Sequence, residues 1–337
     1  MMRFLSFLAC LPIIFLFSGC NDDFVINAKW KDITIVYGLL NPSAPDSINY
    51  IRINRAFVNE GKDATMIAQI PDSINYTDSL YVVLQEWKFG VYQSGKDIVL
   101  SKVPNINKDS GIFTIENQFL YATPALTVFA PSSVYKLVIT NTVTGKVISS
   151  ETTIVGNIES VFPRPGNKIT ITSRNDIDFI WFSGKNSYFY DFDAVIYYHE
   201  FKRSFPEDKV LKTINWPLGK SLKTKTDEGN DEMKVSVDGI NFFRILKDNI
   251  KIDPAIDREF LRIDFIYSAG GEEIFNYINV NKPSISTVQK KPEYTNIVNG
   301  LGVFSSRNQN ILKIQITPTT LTELQTNELT QELNFIR

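Results

Sequence analysis

From position 33 onward, apolar and polar residues alternate in short runs broken by turn chemistry. Ile33-Thr34-Ile35-Val36-Tyr37 alternates and stops at Gly38, and residues 50–57 set Arg52 and Asn54 against apolar neighbours. A period of two predicts half-buried strands. Residues 80–87, 98–103 and 111–115 predict three more, with 64–69 a weakly helical connector. Residues 134–140 and 146–150 flank a short Gly-containing loop at 141–145, which predicts a hairpin. Strands at this number and spacing predict an immunoglobulin-like sandwich, although the Cys…Trp…Cys pattern is absent.

Pro163 and Pro165 mark a boundary within 156–166. Beyond it, strands are predicted at 168–172, at 178–182 with Trp181 in the core, and at 188–201. The charged run 220–232 predicts an exposed loop. Asp238 is placed to cap a helix in which Ile240, Phe243 and Leu246 recur at helical spacing. Residues 261–267 and 274–278 bracket Ala269-Gly270-Gly271, which reads as a tight turn and predicts a second hairpin. In the tail, 311–316 predicts a strand, and Thr320-Leu321-Thr322-Glu323 fits a capping box. The expectation is a mainly β chain of two immunoglobulin- or fibronectin-III-like β-sandwiches with a few short helices. The first spans 32–156, the second spans 157–290 with an inserted helix, and 291–337 forms a C-terminal strand and helix extension.

The first residues carry a different pattern. Arg3 precedes an uncharged apolar run, 4–17, that ends at Ser18-Gly19-Cys20. A basic start, a short apolar core and small residues before a cut characterise a secretory signal peptide. The run falls short of the roughly 20 residues a membrane span needs. Residues 1–19 therefore read as a leader and 20–31 as a tether. Phe17-Ser18-Gly19-Cys20 resembles a bacterial lipobox, with Phe17 where Leu is usual. That resemblance implies a thioether-linked lipid on Cys20, with palmitate-type chains; a cleaved leader without lipid is the plainer alternative. Asn21-Asp22-Asp23 is similar to the export tag that sends Bacteroidota lipoproteins to the cell surface, and otherwise reads as a solvated linker.

Composition narrows the function classes. The formal net charge of -2 gives no electrostatic case for nucleic acid. Cys10 and Cys20 are the two cysteines; the first leaves with the leader, so the mature chain has no disulfide. No nucleotide-binding fingerprint is present, and no cofactor is expected. His199 is the single histidine, within an aromatic run, where a structural or surface role is the default. Asp191 and Asp193, two apart on a predicted strand and flanked by aromatics, are the carboxylate pair a glycosidase would need. The bland alternative is that both alternate outward while Phe192 faces the core. The acidic cluster at 227–232 offers oxygen ligands for calcium but lacks EF-hand spacing, and charge runs are usually solvated.

Pro45-Asp46-Ser47-Ile48-Asn49-Tyr50 recurs as Pro71-Asp72-Ser73-Ile74-Asn75-Tyr76, with Asp78-Ser79-Leu80 just after it. Pro-Asp-Ser starts turns. Asp-Ser before an aliphatic residue also resembles the O-glycosylation acceptor of exported Bacteroidota proteins, which would put glycans on Ser47, Ser73 and Ser79.

Together with the lipobox and Asn21-Asp22-Asp23, two stretches carry a wider likeness: Ile35-Val36-Tyr37-Gly38-Leu39-Leu40, and Thr295-Asn296-Ile297-Val298-Asn299-Gly300-Leu301-Gly302-Val303-Phe304. The chain resembles a family of Bacteroidota outer-membrane surface lipoproteins defined by a domain of unknown function. The resemblance implies anchorage in the outer membrane and association with a TonB-dependent transporter, and it transfers no catalytic set. Three functions are expected alternatives. The first is a non-enzymatic surface lipoprotein that binds a partner protein or an extracellular polymer. The second is a glycan-binding accessory using Tyr188, Tyr190, Trp216 or Trp87. The third is a hydrolase built on Asp191 and Asp193.

Overall fold

The computed structural model describes residues 33–56, 66, 68–104, 118–282 and 293–336. The leader, Cys20, the tether and the strand expected at 111–115 lie outside them. The chain is mainly β, built of several open sheets stacked as sandwiches. Among the described residues no helix is long and apolar enough to cross a membrane.

The first unit contains β1 (Thr34–Leu40), β2 (Tyr50–Arg55), a short helix α1 (Pro71–Ile74), β3 (Leu80–Lys88), β4 (Val91–Tyr92), β5 (Ile98–Val99), β6 (Ser101–Pro104), β7 (Phe119–Ala122), β8 (Val134–Asn141) and β9 (Val147–Thr153). One sheet runs β1-β2-β7-β6 and the other β4-β3-β8-β9, with β5 also on β3. The two sheets face each other as a β-sandwich. Val36, Leu40, Ile51 and Ile53 from one sheet meet Val82, Leu84, Leu137 and Ile139 from the other. The run 98–103 is two strands rather than one. The chain changes sheet at buried Leu100, so β5 pairs with β3 and β6 with β7.

The second unit adds β10 (Glu159–Phe162), β11 (Lys168–Ile169), β12 (Asp176–Phe182), β13 (Phe189–Lys202), β14 (Val210–Lys223), β15 (Glu232–Asp238), helix α2 (Ile240–Asn249), β16 (Ile256–Gly270), helix α3 (Glu272–Asn281), β17 (Gly300–Ile316), helix α4 (Pro318–Thr326) and β18 (Phe335–Ile336). The sheet β10-β12-β15 packs on the sheet β14-β13-β16-β17. Fully buried Trp181 joins them, its ring 5.4 Å from Phe192 and 5.3 Å from Tyr267.

Several expectations are corrected. Residues 274–278 are helical, so no hairpin closes the second unit. The free edge of β16 is taken by β17 from far along the chain, from Ile263↔Ile314 to Gly270↔Arg307. With no edge to return to, the segment after Gly271 turns helical and opens on Glu272 and Glu273, the charge a helix start prefers. The expected strand 168–172 shrinks to β11, which pairs with the end of β17. Residues 220–223 belong to β14, and the loop begins only at Thr224. Helix α4 starts at Pro318, ahead of the expected capping box. The box residues are used elsewhere: Thr320 Oγ1 accepts from Ile171 N at 2.7 Å and Glu323 from Ser173 N at 2.8 Å.

Strand β17 lies beyond residue 290, in the stretch read as a separate extension, yet it belongs to both units. Its first half pairs in parallel with β1, from Thr34↔Gly300 to Leu40↔Ser306. The two units thereby share one 10-stranded sheet. Phe304 enters the first core, and Leu312, Ile314 and Ile316 enter the second. Between them the strand is polar, and those side chains satisfy the backbone of the linker it crosses. Ser306 Oγ donates to Thr153 O (2.6 Å), Asn308 Nδ2 to Gly156 O (2.7 Å) and Asn310 Nδ2 to Ile158 O (2.9 Å). Buried backbone groups need such partners.

Candidate functional site

The residues singled out by chemistry are scattered. Asp191 and Asp193 alternate outward on β13 while Phe192 is buried. Lys220 Nζ sits 2.7 Å from Asp193 and 3.8 Å from Asp191, and Asp191 also accepts from Ser221 N. Neither lines the groove described below. His199 faces the same way, with Nδ1 3.1 Å from Glu259 Oε2. Lys209 and His199 together hold the Glu259 carboxyl below its usual range. In the acidic cluster, Asp231 Oδ2 accepts from Lys225 N and Thr226 N. Among the described residues, no three His, Cys, Asp or Glu gather as a metal set. Ser47, Ser73 and Ser79 are each half-buried; Ser47 closes a 3-10 turn and Ser73 lies in α1.

Of the four aromatic residues expected to form a platform, two are core. Tyr190 and Trp216 are buried. Tyr188 is half-buried with its ring 5.0 Å from Phe275, and half-buried Trp87 packs 5.6 Å from Tyr92.

A different aromatic group gathers where the units join. The outer face of the shared sheet, α3 and the loop between β1 and β2 enclose an open groove of about 580 Å³. Alternation along β1 buries Val36, Gly38 and Leu40 and turns Tyr37 and Leu39 outward. Val303, opposite Tyr37 on β17, completes the floor. One wall is α3, which presents Ile274 and Tyr277. Its first turn is pinned to the sheet: Ser305 Oγ donates to Glu273 Oε2 at 2.7 Å, and Ile274 N donates to Ser305 Oγ at 3.3 Å. The other wall is the 41–50 loop, held by paired asparagines. Asn41 N donates to Asn49 Oδ1 (2.5 Å), and Asn49 N donates to Thr123 Oγ1 (2.9 Å).

Three tyrosines therefore line one groove. Tyr37 is 43% exposed and Tyr50 51% exposed. Tyr277 is half-buried, its ring edge-on to Tyr37 at 6.1 Å and the two hydroxyls 3.4 Å apart. The hydrogen bond with Tyr37, aided by burial, pushes the Tyr277 hydroxyl up to about 12, so it stays protonated at neutral pH. Exposed Arg307 stands at the groove, and its guanidinium makes no ion pair or hydrogen bond among the described residues. Burial raises the Glu273 carboxyl above its ordinary value, and its oxygen is engaged by Ser305 and Thr152. A groove of this size, preformed and combining aromatic surface with a few polar groups, has the make-up of a ligand site.

Sequence reasoning missed this site because its parts come from residues 37, 50, 277 and 307, and only the pairing of β1 with β17 unites them. One signal was present. The hexapeptide repeat ends in Tyr50 and in Tyr76. Tyr76 is 3% exposed with its hydroxyl 2.8 Å from Thr34 Oγ1, whereas Tyr50 is open. Its exposure serves no packing need. No known protein-family model matches the chain, and no curated protein is similar to it.

Proposed function

We propose that this chain is a non-enzymatic, lipid-anchored binding protein of the outer-membrane surface, held by acyl chains on Cys20. Its ligand is a partner protein or an extracellular polymer, in the setting of a TonB-dependent transporter. The observation that carries the binding role is the open groove lined by Tyr37, Tyr50 and Tyr277. It is built on a sheet shared by both units, so its shape needs no ligand to assemble it. Anchorage rests on the run from Arg3 to Cys20. One acyl chain binds membranes reversibly, and two or more make the attachment stable.

A second reading, a glycan-binding accessory, is favoured by the tyrosines themselves. Each offers a flat apolar ring and a hydroxyl, which matches the alternation of C–H faces and hydroxyls on a sugar. This moves the aromatic platform away from Tyr188, Tyr190, Trp216 and Trp87 to the seam.

The anchor is tested by mass spectrometry of the mature amino terminus from a native host, with Cys20→Ala beside it. The expected result is a diacyl- or triacyl-cysteine at position 20, and release of the variant from the membrane fraction. An unmodified Cys20 thiol in the wild-type chain, or a cut elsewhere, would overturn the proposal.

A further inference from the structure

We infer that the groove binds an acidic saccharide, with its sugar rings on the tyrosines and a ring carboxylate on Arg307. The inference rests on the binding role proposed above and adds the charge class of the ligand. Tyr37, Tyr50 and Tyr277 line one groove of about 580 Å³, room for a few sugar units of a longer polymer.

Arg307 supplies the selectivity. A guanidinium presents a planar fork that meets a carboxylate through two parallel hydrogen bonds. Two other arginines near the surface are held by carboxylates, Arg203 by Asp257 at 2.6 Å and Arg262 by Asp264 at 2.8 Å. Arg307 has no such partner among the described residues, although it borders the groove. A second cation, Arg52, lies on β2 directly opposite Tyr37, its Nε held by Asn54 Oδ1 at 2.6 Å. Neither carboxylate of the helical wall lines the groove: Glu273 is engaged by Ser305 and Thr152, and neither it nor exposed Glu272 pairs with Arg307. A positive groove on a chain whose net charge is -2 is a local feature, so attraction to a polyanion would be confined to it. A neutral saccharide would satisfy the rings and leave Arg307 idle.

Affinity electrophoresis tests this with the full-length lipidated protein in non-ionic detergent. The native gels carry alginate, hyaluronate or polygalacturonate, with neutral dextran as the uncharged counterpart. The expected result is retardation by at least one uronate polymer and none by dextran. Arg307→Gln should weaken that binding about tenfold, equivalent to about 1.4 kcal/mol, and Tyr277→Ala should weaken it further. Both variants should keep the wild-type circular dichroism spectrum. Retardation by dextran, or an Arg307→Gln variant that binds as wild type does, would overturn the acidic-ligand inference while leaving a glycan role standing. No retardation by any polymer would overturn both.

Discussion

At the scale of single residues, exposure separates packing from function. Tyr50 and Tyr76 close identical hexapeptides, yet one is half exposed and the other is sealed and hydrogen-bonded. The same test moves Asp191 and Asp193 into the class of surface ion pairs, with Lys220 as their partner. Exposed pairs of that kind contribute between 0 and about 1 kcal/mol each. Glu273 is the opposite case, a half-buried carboxyl at the junction whose ordinary value is raised chiefly by desolvation. The folded chain holds that proton to higher pH than the unfolded chain does. Its contribution to stability is thus fully present below the unfolded carboxyl range, near 4.3, and is lost as pH rises through the folded value. Glu273→Gln cannot ionise and still accepts from Ser305. It is predicted to melt above wild type at pH 8, with the gap closing toward about pH 4. Thermal melts across that range check this, and a gap that does not change with pH would contradict it.

At the scale of elements, β17 explains most of what the periodicity did and did not reveal. Strands whose partners are close in sequence, such as β8 and β9, were legible because alternation and turn chemistry are local signals. So was α2, with its apolar residues at helical spacing. The segment after Gly271 misled because an apolar run of that length suits a strand or a helix equally, and the choice was made by β17 occupying the edge of β16. The polar residues between the two apolar halves of β17 have a role that only the fold supplies: Ser306, Asn308 and Asn310 bond the backbone of the linker they cross.

Gly302 shows how tightly the seam is set. Its φ is +114°, and a Cβ there would lie 1.9 Å from Val36 O on β1. Gly302→Ala is therefore predicted to cost about 3 kcal/mol or more, from backbone strain and the forced separation of β1 and β17. Gly95 also has a positive φ, +81°, but has nothing within 4 Å of that Cβ. Gly95→Ala should cost only about 1 kcal/mol. Urea denaturation of the two variants separates the cases, and equal losses would show that the β1–β17 contact is not under the constraint described.

At the scale of the whole molecule, one strand passing through two sandwiches does two things. It merges their sheets, and it brings α3 and Arg307 from the second unit against Tyr37 and Tyr50 from the first. The fold class was visible in the spacing of strands, and the shared sheet was not, because parallel pairing over more than 260 positions leaves no trace in local periodicity. The proposed anchor at Cys20 would tether such a body to the cell surface by its amino-terminal end, with the groove carried on the joint of the two units.

The most direct test of this account labels tyrosines with a membrane-impermeant reagent on intact native cells and, in parallel, on the purified protein. Tyr37, Tyr50 and Tyr277 are predicted to react in the purified protein and to be shielded on cells. Tyr81 and Tyr92, exposed on the far sheet of the first unit, are predicted to react in both. Labelling of the three groove tyrosines on cells to the same extent as in solution, or an absence of labelling at Tyr81 and Tyr92 on cells, would contradict a surface protein that binds through this groove.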